Sequence, residues 1–394
     1  MMIDENTINW IELNAKADAS ALRLKYAGDS RKGFAILQIE CRRKAASKLR
    51  NTLACREFVF PTSLSAEQCT SDILADFHSS LVVGDSVLDM TAGLCIDAFH
   101  MARSGRTVTA IDMDERLTEA ARHNAKSLGI DNFEAITADS TEWLAGNNRK
   151  FDTIFIDPAR RGEGGKRIFA LSDCAPDVVA LLPLLKSRCS RLIIKVSPML
   201  DISSVIASLG ENTGIYVTGT PTECKELIAV VDFDSPSPLF IEAVTLSDSM
   251  DSRFAFTPLE EKEATPVYSI PETGMHLLEP YPAVMKSGGF SVLSSRFGVG
   301  KLDKNTHIYV SSSLRDDFPG EDFEIIAVLP FGKSSVKTLH AEYPVLNVTA
   351  RNFPLKPAEL VKKLKIKEGG DLRLFAVRAS GTPLLIIARN TVLS

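Results

Sequence analysis

The sequence predicts an α/β protein built on a doubly wound, mostly parallel sheet, with a helical segment before it and smaller α+β units after it. Three observations carry this. Short β-rich runs alternate with helical stretches from Asp85 to Phe233, which is how successive βαβ units read. The first 80 residues show apolar spacing of the helical kind, and Asp322 to Asn390 runs strand, helix, strand, helix, strand, strand. At 394 residues the chain has room for two or three domains of roughly 150 residues. Its 45% hydrophobic and 24% charged composition is that of a chain able to bury a core.

In chain order, Ala35–Leu49 and Ala66–Leu81 are expected as helices, with Pro61 and Ser63 between them. The strands expected next are SVLDM, TVTAIDMD, FEAITAD, FDTIFIDP and RLIIKVSP, then IYVTGT and ELIAVVDF, close enough to form an edge hairpin. Ser235 to Pro238 reads as a linker and Ser247 to Gly274 as a long polar excursion. The expected units are a helical region at 1–80, the α/β domain at 81–238, a small α+β module at 239–320 and a basic α+β domain at 321–394.

The N-terminus has no basic stretch followed by an apolar run, and no segment reaches about 18 uninterrupted apolar residues, so a soluble, cytoplasmic protein is expected. Seven scattered cysteines with no CxxC pair suggest free thiols and no metal site. The net charge of −5 conceals local asymmetry. Lys32–Arg50 holds six bases against one acid and Arg351–Arg378 eight against three, while Ile241–Gly274 holds seven acids and two bases. An anionic partner is compatible with such patches.

The strongest constellation is Asp89-Met90-Thr91-Ala92-Gly93, an acid ending a strand and a small-residue turn leading into a helix from Ile96 to Ser104. Small residues let a ligand lie against the backbone at the carboxyl edge of the sheet. About twenty residues on, Asp112-Met113 ends the second strand with a carboxylate suited to both hydroxyls of a ribose. Asp139-Ser140 follows the third strand, with an acceptor for an adenine amine. Helix capping and turn closure are the alternative role for these acids.

With Asp157-Pro158 after the fourth strand, this order resembles the class I S-adenosylmethionine-dependent methyltransferases over about 150 residues. The resemblance implies that Asp89, Thr91, Ala92, Gly93, Asp112, Met113, Asp139 and Ser140 bind S-adenosylmethionine. Thr91 and Cys95 stand where the family often has its outer glycines, which also argues against a nicotinamide dehydrogenase.

Asp157-Pro158-Ala159-Arg160 resembles the Asp-Pro-Pro-aromatic and Asp-Pro-Pro-Arg motifs of amine and RNA methyltransferases, which makes Asp157 and Pro158 the catalytic candidates. In such sites the acid positions an amine toward the methyl group. The aromatic residue is missing here, and with it the usual stacking face. Carbon-5 methylation of a pyrimidine would need a cysteine near Lys195-Val196-Ser197-Pro198, and there is none. Arg160 and Arg161 could grip a phosphate or carboxylate of the substrate.

The order of units, including Arg42–Leu49 and Glu279–Phe290, resembles bacterial methyltransferases with a THUMP-like C-terminal domain, which implies a ferredoxin-like module before it and an RNA substrate, tRNA or rRNA. Lys362, Lys363 and Lys365 are the candidate phosphate-binding residues. Gly332-Lys333-Ser334 ends like a phosphate-binding loop but has Ala327 where its first glycine belongs. No HExxH or GxSxG is present. The expectation is an RNA methyltransferase with no membrane, metal or obligate protein partner. The alternatives are a methyltransferase of small molecules or proteins, and a non-catalytic RNA-binding protein that kept the fold.

Overall fold

The computed structural model describes residues 3–160, 170–235, 237–249 and 251–391. The chain divides into two compact units, Met1–Ile215 with Glu226–Pro238, and Tyr216–Lys225 with Leu239–Ser394.

The first unit opens with helices α1 (Glu5–Leu13), α2 (Ala19–Lys25) and α3 (Ser30–Ala45), each begun by an aspartate that accepts the first free amides, Asp4, Asp18 and Asp29. Ile11, Leu22, Ala35, Ile36 and Ile39 form their shared core. The basic run on α3 is largely consumed here. Arg42 donates to the carbonyls of Arg56 and Phe58, both at 2.7 Å, Arg43 donates to Ala15 at 2.7 Å, and Lys44 pairs with Glu67. The expectation of a single helix over Ala66–Leu81 is corrected to two, α4 (Ser63–Gln68) and α5 (Asp72–Leu81). The chain turns extended at Cys69, and the Thr70 hydroxyl bonds Asp97 Oδ2 at 2.6 Å.

The sheet of this unit uses β1 (Ser86–Asp89), β2 (Thr107–Asp112), β3 (Phe133–Thr137), β4 (Phe151–Ile156) and β5 (Cys189–Val196), then, past β6 (Thr213–Gly219), β7 (Cys224–Asp232). Among these the order is β7-β5-β4-β1-β2-β3. All run parallel except β7, which lies antiparallel to β5 with Leu227 opposite Val196. A tight turn, Thr220 N to Glu223 O at 2.8 Å, links β6 and β7. Val87, Leu88, Val108, Ile111, Ile154, Phe155, Ile193 and Ile194 are buried, as strands covered on both faces require. Helices α6 (Ile96–Arg103), α7 (Glu115–Ser127) and α8 (Ser140–Gly146) follow β1, β2 and β3. Strand order reverses between β1 and β4, so a crevice opens beyond their carboxyl ends, where ligands of such sheets bind.

The second unit contains the antiparallel pair β8 (Phe240–Thr245) and β9 (Ser252–Phe256), then α9 (Pro258–Glu263). The polar excursion expected at 247–274 is therefore partly regular. Phe254 and Phe256 alternate inward, and Thr257 with Glu260 forms a capping box ahead of Pro258, signals outweighed by the acidic composition around them. A seven-stranded sheet follows, built from β10 (His276–Pro280), β11 (Gly300–Asp303), β12 (Thr306–Ser311), β13 (Gly320–Pro330), β14 (Asn347–Arg351), β15 (Leu372–Ala379) and β16 (Thr382–Asn390), in the order β11-β12-β10-β13-β16-β15-β14. Leu339, Leu360 and Leu364, from helices Lys333–Glu342 and Pro357–Leu364, pack with Leu374 and Leu385 in one core cluster.

Candidate active site

The loop after β1 is pinned on both sides. Met90 N donates to Phe155 O on β4 at 3.0 Å, and Ala92 N to Ile111 O on β2 at 3.0 Å. Thr91 N donates to Asp89 Oδ1 at 3.0 Å, while the Thr91 hydroxyl accepts from Asp157 N at 2.7 Å. Gly93 N donates to Asp112 Oδ2 at 2.9 Å, and Asp114 N to Asp112 Oδ1 at 2.9 Å. Asp89, Thr91, Ala92, Gly93, Asp112 and Asp157 are thus assembled at one sheet edge.

The missing glycines have a local explanation. Thr91 uses its hydroxyl to tie the loop to β4. Cys95 keeps a left-handed backbone, φ +62°, at the start of α6, the conformation that a glycine would adopt freely. Gly93 is also left-handed, φ +52°, and the space where its side chain would stand is open.

Beyond β2, Met113 is 73% exposed and able to offer an apolar face. Asp139 caps α8, its Oδ1 accepting from Thr141 N at 2.8 Å and Glu142 N at 3.1 Å, beside the buried Ser140. The capping role is therefore real, and among the described residues Oδ2 has no hydrogen-bond partner. Pro158 is buried after Asp157. The backbone of Ala159–Arg160 pairs antiparallel with Cys174–Ala175, and Arg161 lies outside the described residues.

Asp89 is 2% exposed and has no cation among its described partners. Burial pushes its carboxyl up to about 8, reinforced by Asp97, Asp157 and Asp112 and opposed by the Thr91 amide. A buried carboxyl of this kind fits a positively charged ligand group. It also sets a stability trend. Because the folded value lies above the ordinary 3.8, the folded state holds the proton, and stability falls as pH rises from about 4 to about 8. Asp89→Asn should remove that part of the fall, leaving the variant more stable than wild type in urea at pH 9. Equal stability of the two at pH 9 would contradict the assignment.

Sequence reading missed the charged groups beneath Asp157. Lys195 Nζ lies 2.9 Å from Asp157 Oδ2, 3.1 Å from Thr70 Oγ1 and 3.7 Å from Glu226 Oε2. His78, fully buried, sits between Asp97 (Nδ1 to Oδ1, 2.7 Å) and Glu226 (Nε2 to Oε1, 2.7 Å). Burial opposes charge on His78, but Glu226 and Asp97 outweigh it and push the imidazole up to about 9. For Asp157 burial dominates and raises the carboxyl, against the pull of Lys195. The available signal was a polar residue inside an apolar strand, Lys195 in RLIIKV and Glu226 in KELIAVV.

In the second unit, Lys356, Lys362, Lys363, Lys365 and Lys367 are all exposed on and around the helix Pro357–Leu364, and none has an ion-pair partner among the described residues. Lys363 stands 5.1 Å over the Phe331 ring. Arg351 and Arg373, from the same basic stretch, are instead paired with Glu279. No helix among the described residues is long and apolar enough to cross a membrane.

Residues 81–232 match a family described as a methyltransferase domain, 276–319 a ferredoxin-like domain and 320–390 a THUMP domain-like family. Curated relatives include a tRNA (uracil(54)-C(5))-methyltransferase of Pyrococcus horikoshii, 32% identical over 123 residues, which are 31% of this chain and 29% of that protein. Another is a 23S rRNA (uracil(747)-C(5))-methyltransferase of Shewanella baltica, 29% identical over 114 residues, 28% of either chain. The chain thus spans less than a third of the length of these relatives. A solved structure from Porphyromonas gingivalis W83, described as a candidate methyltransferase, superposes with a TM-score of 0.86 at 28% identity, covering 99% of this chain and 100% of that one. The chain therefore carries an S-adenosylmethionine-dependent methyltransferase domain followed by ferredoxin-like and THUMP-like domains.

Proposed function

We propose that this protein transfers a methyl group from S-adenosylmethionine to RNA, at a nitrogen of a base. The observation that carries the reading is the pinned loop itself, in which Thr91 joins the acid of the cofactor edge, Asp89, to the backbone of the candidate reacting acid, Asp157. The bound cofactor supplies a methyl group on a sulfonium sulfur. Asp89 answers its ammonium group, Asp112 its ribose hydroxyls, and Asp139, Ser140 and Met113 its adenine. Thr91, Ala92 and Gly93 give it a backbone to lie on.

Asp157 accepts a hydrogen bond from the substrate amine and aims the nitrogen lone pair at the methyl carbon. The rigid Pro158 fixes the carbonyl that follows, so positioning supplies most of the acceleration. The nitrogen loses a proton once the N–C bond has formed. The two relatives are carbon-5 enzymes by name, but that chemistry needs a reactive thiol. Here the β5 end carries Ser197, and Cys95, buried beside Asp89 and Asp112, has a thiol pushed far above the ordinary range. This favours nitrogen.

RNA, tRNA or rRNA, is the proposed substrate on the strength of the THUMP-like module and its exposed lysines, with a cytoplasmic location to match. Arg160 and Arg161 remain candidates for holding the nucleotide's phosphate. Labelled methyl groups should pass from S-adenosylmethionine into an RNA pool. The combined change Lys362→Glu, Lys363→Glu and Lys365→Glu should weaken RNA binding and flatten its salt dependence by about 0.7 to 0.9 in logarithmic slope, from single strand to duplex, for each phosphate that is no longer neutralised. An unchanged slope would remove these lysines from the interface.

A further inference from the structure

The charged groups beneath Asp157 form a frame with its own balance. His78 and Lys195 bring two positive charges, and Asp97 and Glu226 two negative ones. The pieces come from four elements: α5 (His78), α6 (Asp97), β5 (Lys195) and β7 (Glu226), with Thr70 from the turn before α5 linking Lys195 to Asp97. Buried charges persist only when paired and hydrogen-bonded, and here each has such partners. With these four cancelling, the charge of Asp157 is left over at the mouth of the site.

We propose that Lys195 is the positioning residue of the reacting site: seated by Thr70 and Glu226, it holds Oδ2 of Asp157 and leaves Oδ1 to receive the N–H of a substrate amine. The inference rests on the amine-methylation reading above and adds to it both the residue that sets the acid and the type of group that the acid can receive. Among the described residues only Oδ2 of Asp157 has a side-chain partner, at 2.9 Å from Lys195 Nζ, so one oxygen is committed and one is free. A carboxylate so held accepts hydrogen bonds and donates none, and therefore needs a partner with a hydrogen to give, as the N–H of an amine has. Its uncancelled negative charge also favours the positive charge that grows on the nitrogen as the N–C bond forms and the S–C bond breaks, releasing the neutral thioether, before the N–H proton passes to Oδ1 of Asp157 and on to water.

The acid and base groups facing Asp157 are Lys195, Asp97 and Glu226, with Asp89 across the pinned loop and His78 behind Asp97 and Glu226. Of these Lys195 alone touches it. Carbon-13 NMR of the aspartate carboxyl groups, with the Asp157 signal assigned by its loss in Asp157→Asn, reads the pair without needing turnover. In Lys195→Met the Asp157 midpoint should rise by at least one pH unit, and Lys195→Arg should restore most of that difference. An Asp157 midpoint unmoved in Lys195→Met would overturn the proposal. Thr70→Val, which takes away the seat and leaves the charge, should produce a smaller rise and serves if the methionine variant does not fold; no rise there would count against the seating by Thr70. In methyl transfer, the acid limb of the pH profile of Lys195→Met should move with the NMR midpoint while S-adenosylmethionine affinity stays within about twofold. If the NMR shift occurs and wild type methylates no RNA, the RNA reading fails and the role of Lys195 stands.

Discussion

Asp97→Ala should destabilise the methyltransferase domain by about 3–5 kcal/mol, the usual consequence of removing one member of a buried ion pair and leaving the other. Asp97 is bonded at once to His78 and to Thr70, and it lies in the first turn of α6, where a negative charge is favourable. Its carboxyl is therefore held far below the ordinary range. Burial works against this, and His78 and Lys195 overcome it. That stability is present above about pH 4 and lost only in strong acid. His78 acts in the opposite sense. With its folded value near 9 and its unfolded value near 6.5, its contribution is complete below about pH 6.5 and disappears as the pH rises through about 9. Urea unfolding of wild type between pH 6 and 9.5 should show a decline, and Asp97→Ala should be less stable and show a shallower one. A loss under 1 kcal/mol in Asp97→Ala would mean that the frame is not closed around His78.

Asp157→Asn should lower methyl transfer by about 100-fold or more while S-adenosylmethionine binding changes less than about threefold. The bond of Asp157 to Thr91, in the candidate cofactor loop, is made by its backbone N–H and is unaffected by the substitution. Asparagine keeps the shape, loses the negative charge and, with its amide oxygen accepting from Lys195, puts an NH₂ donor where Oδ1 would receive the substrate's N–H. Both the aim of the substrate amine and the favourable field at the nitrogen are weakened. Single-turnover transfer from labelled S-adenosylmethionine measures the rate, and calorimetry the binding. A parallel loss of both would place Asp157 in cofactor binding, and a loss of neither would remove it from the site.

That the candidate cofactor residues share one sheet edge was legible in the sequence because the fold fixes it locally. Acids at the ends of β1, β2 and β3 and the small-residue turn at Thr91–Gly93 sit at spacings that the βαβ unit itself imposes. Strand and helix assignments in Asp322–Asn390 were legible for a similar reason, since alternation and helical periodicity are short-range signals. The frame beneath Asp157 was not. His78, Asp97, Lys195 and Glu226 are separated by up to 148 positions, and only the antiparallel return of β7 beside β5 brings Glu226 to Lys195 and His78. The basic run of α3 misled in the other direction. Charge counting saw a patch, whereas Arg42 and Arg43 are turned onto carbonyls of neighbouring loops. The break at Cys69–Ser71 was hidden because apolar spacing continues across it, and the bond of Thr70 to Asp97 was invisible without the fold.

The decisive measurement is calorimetric titration of the purified protein with S-adenosylmethionine, repeated on Asp112→Ala and with NAD in place of the cofactor. The geometry of the site predicts one S-adenosylmethionine bound per chain, binding at least tenfold weaker in Asp112→Ala, no heat with NAD, and near pH 7 a proton released as Asp89 ionises against the ligand's ammonium, seen as a dependence of the heat on the buffer used. Undiminished binding in Asp112→Ala, or NAD bound as well as S-adenosylmethionine, would contradict it.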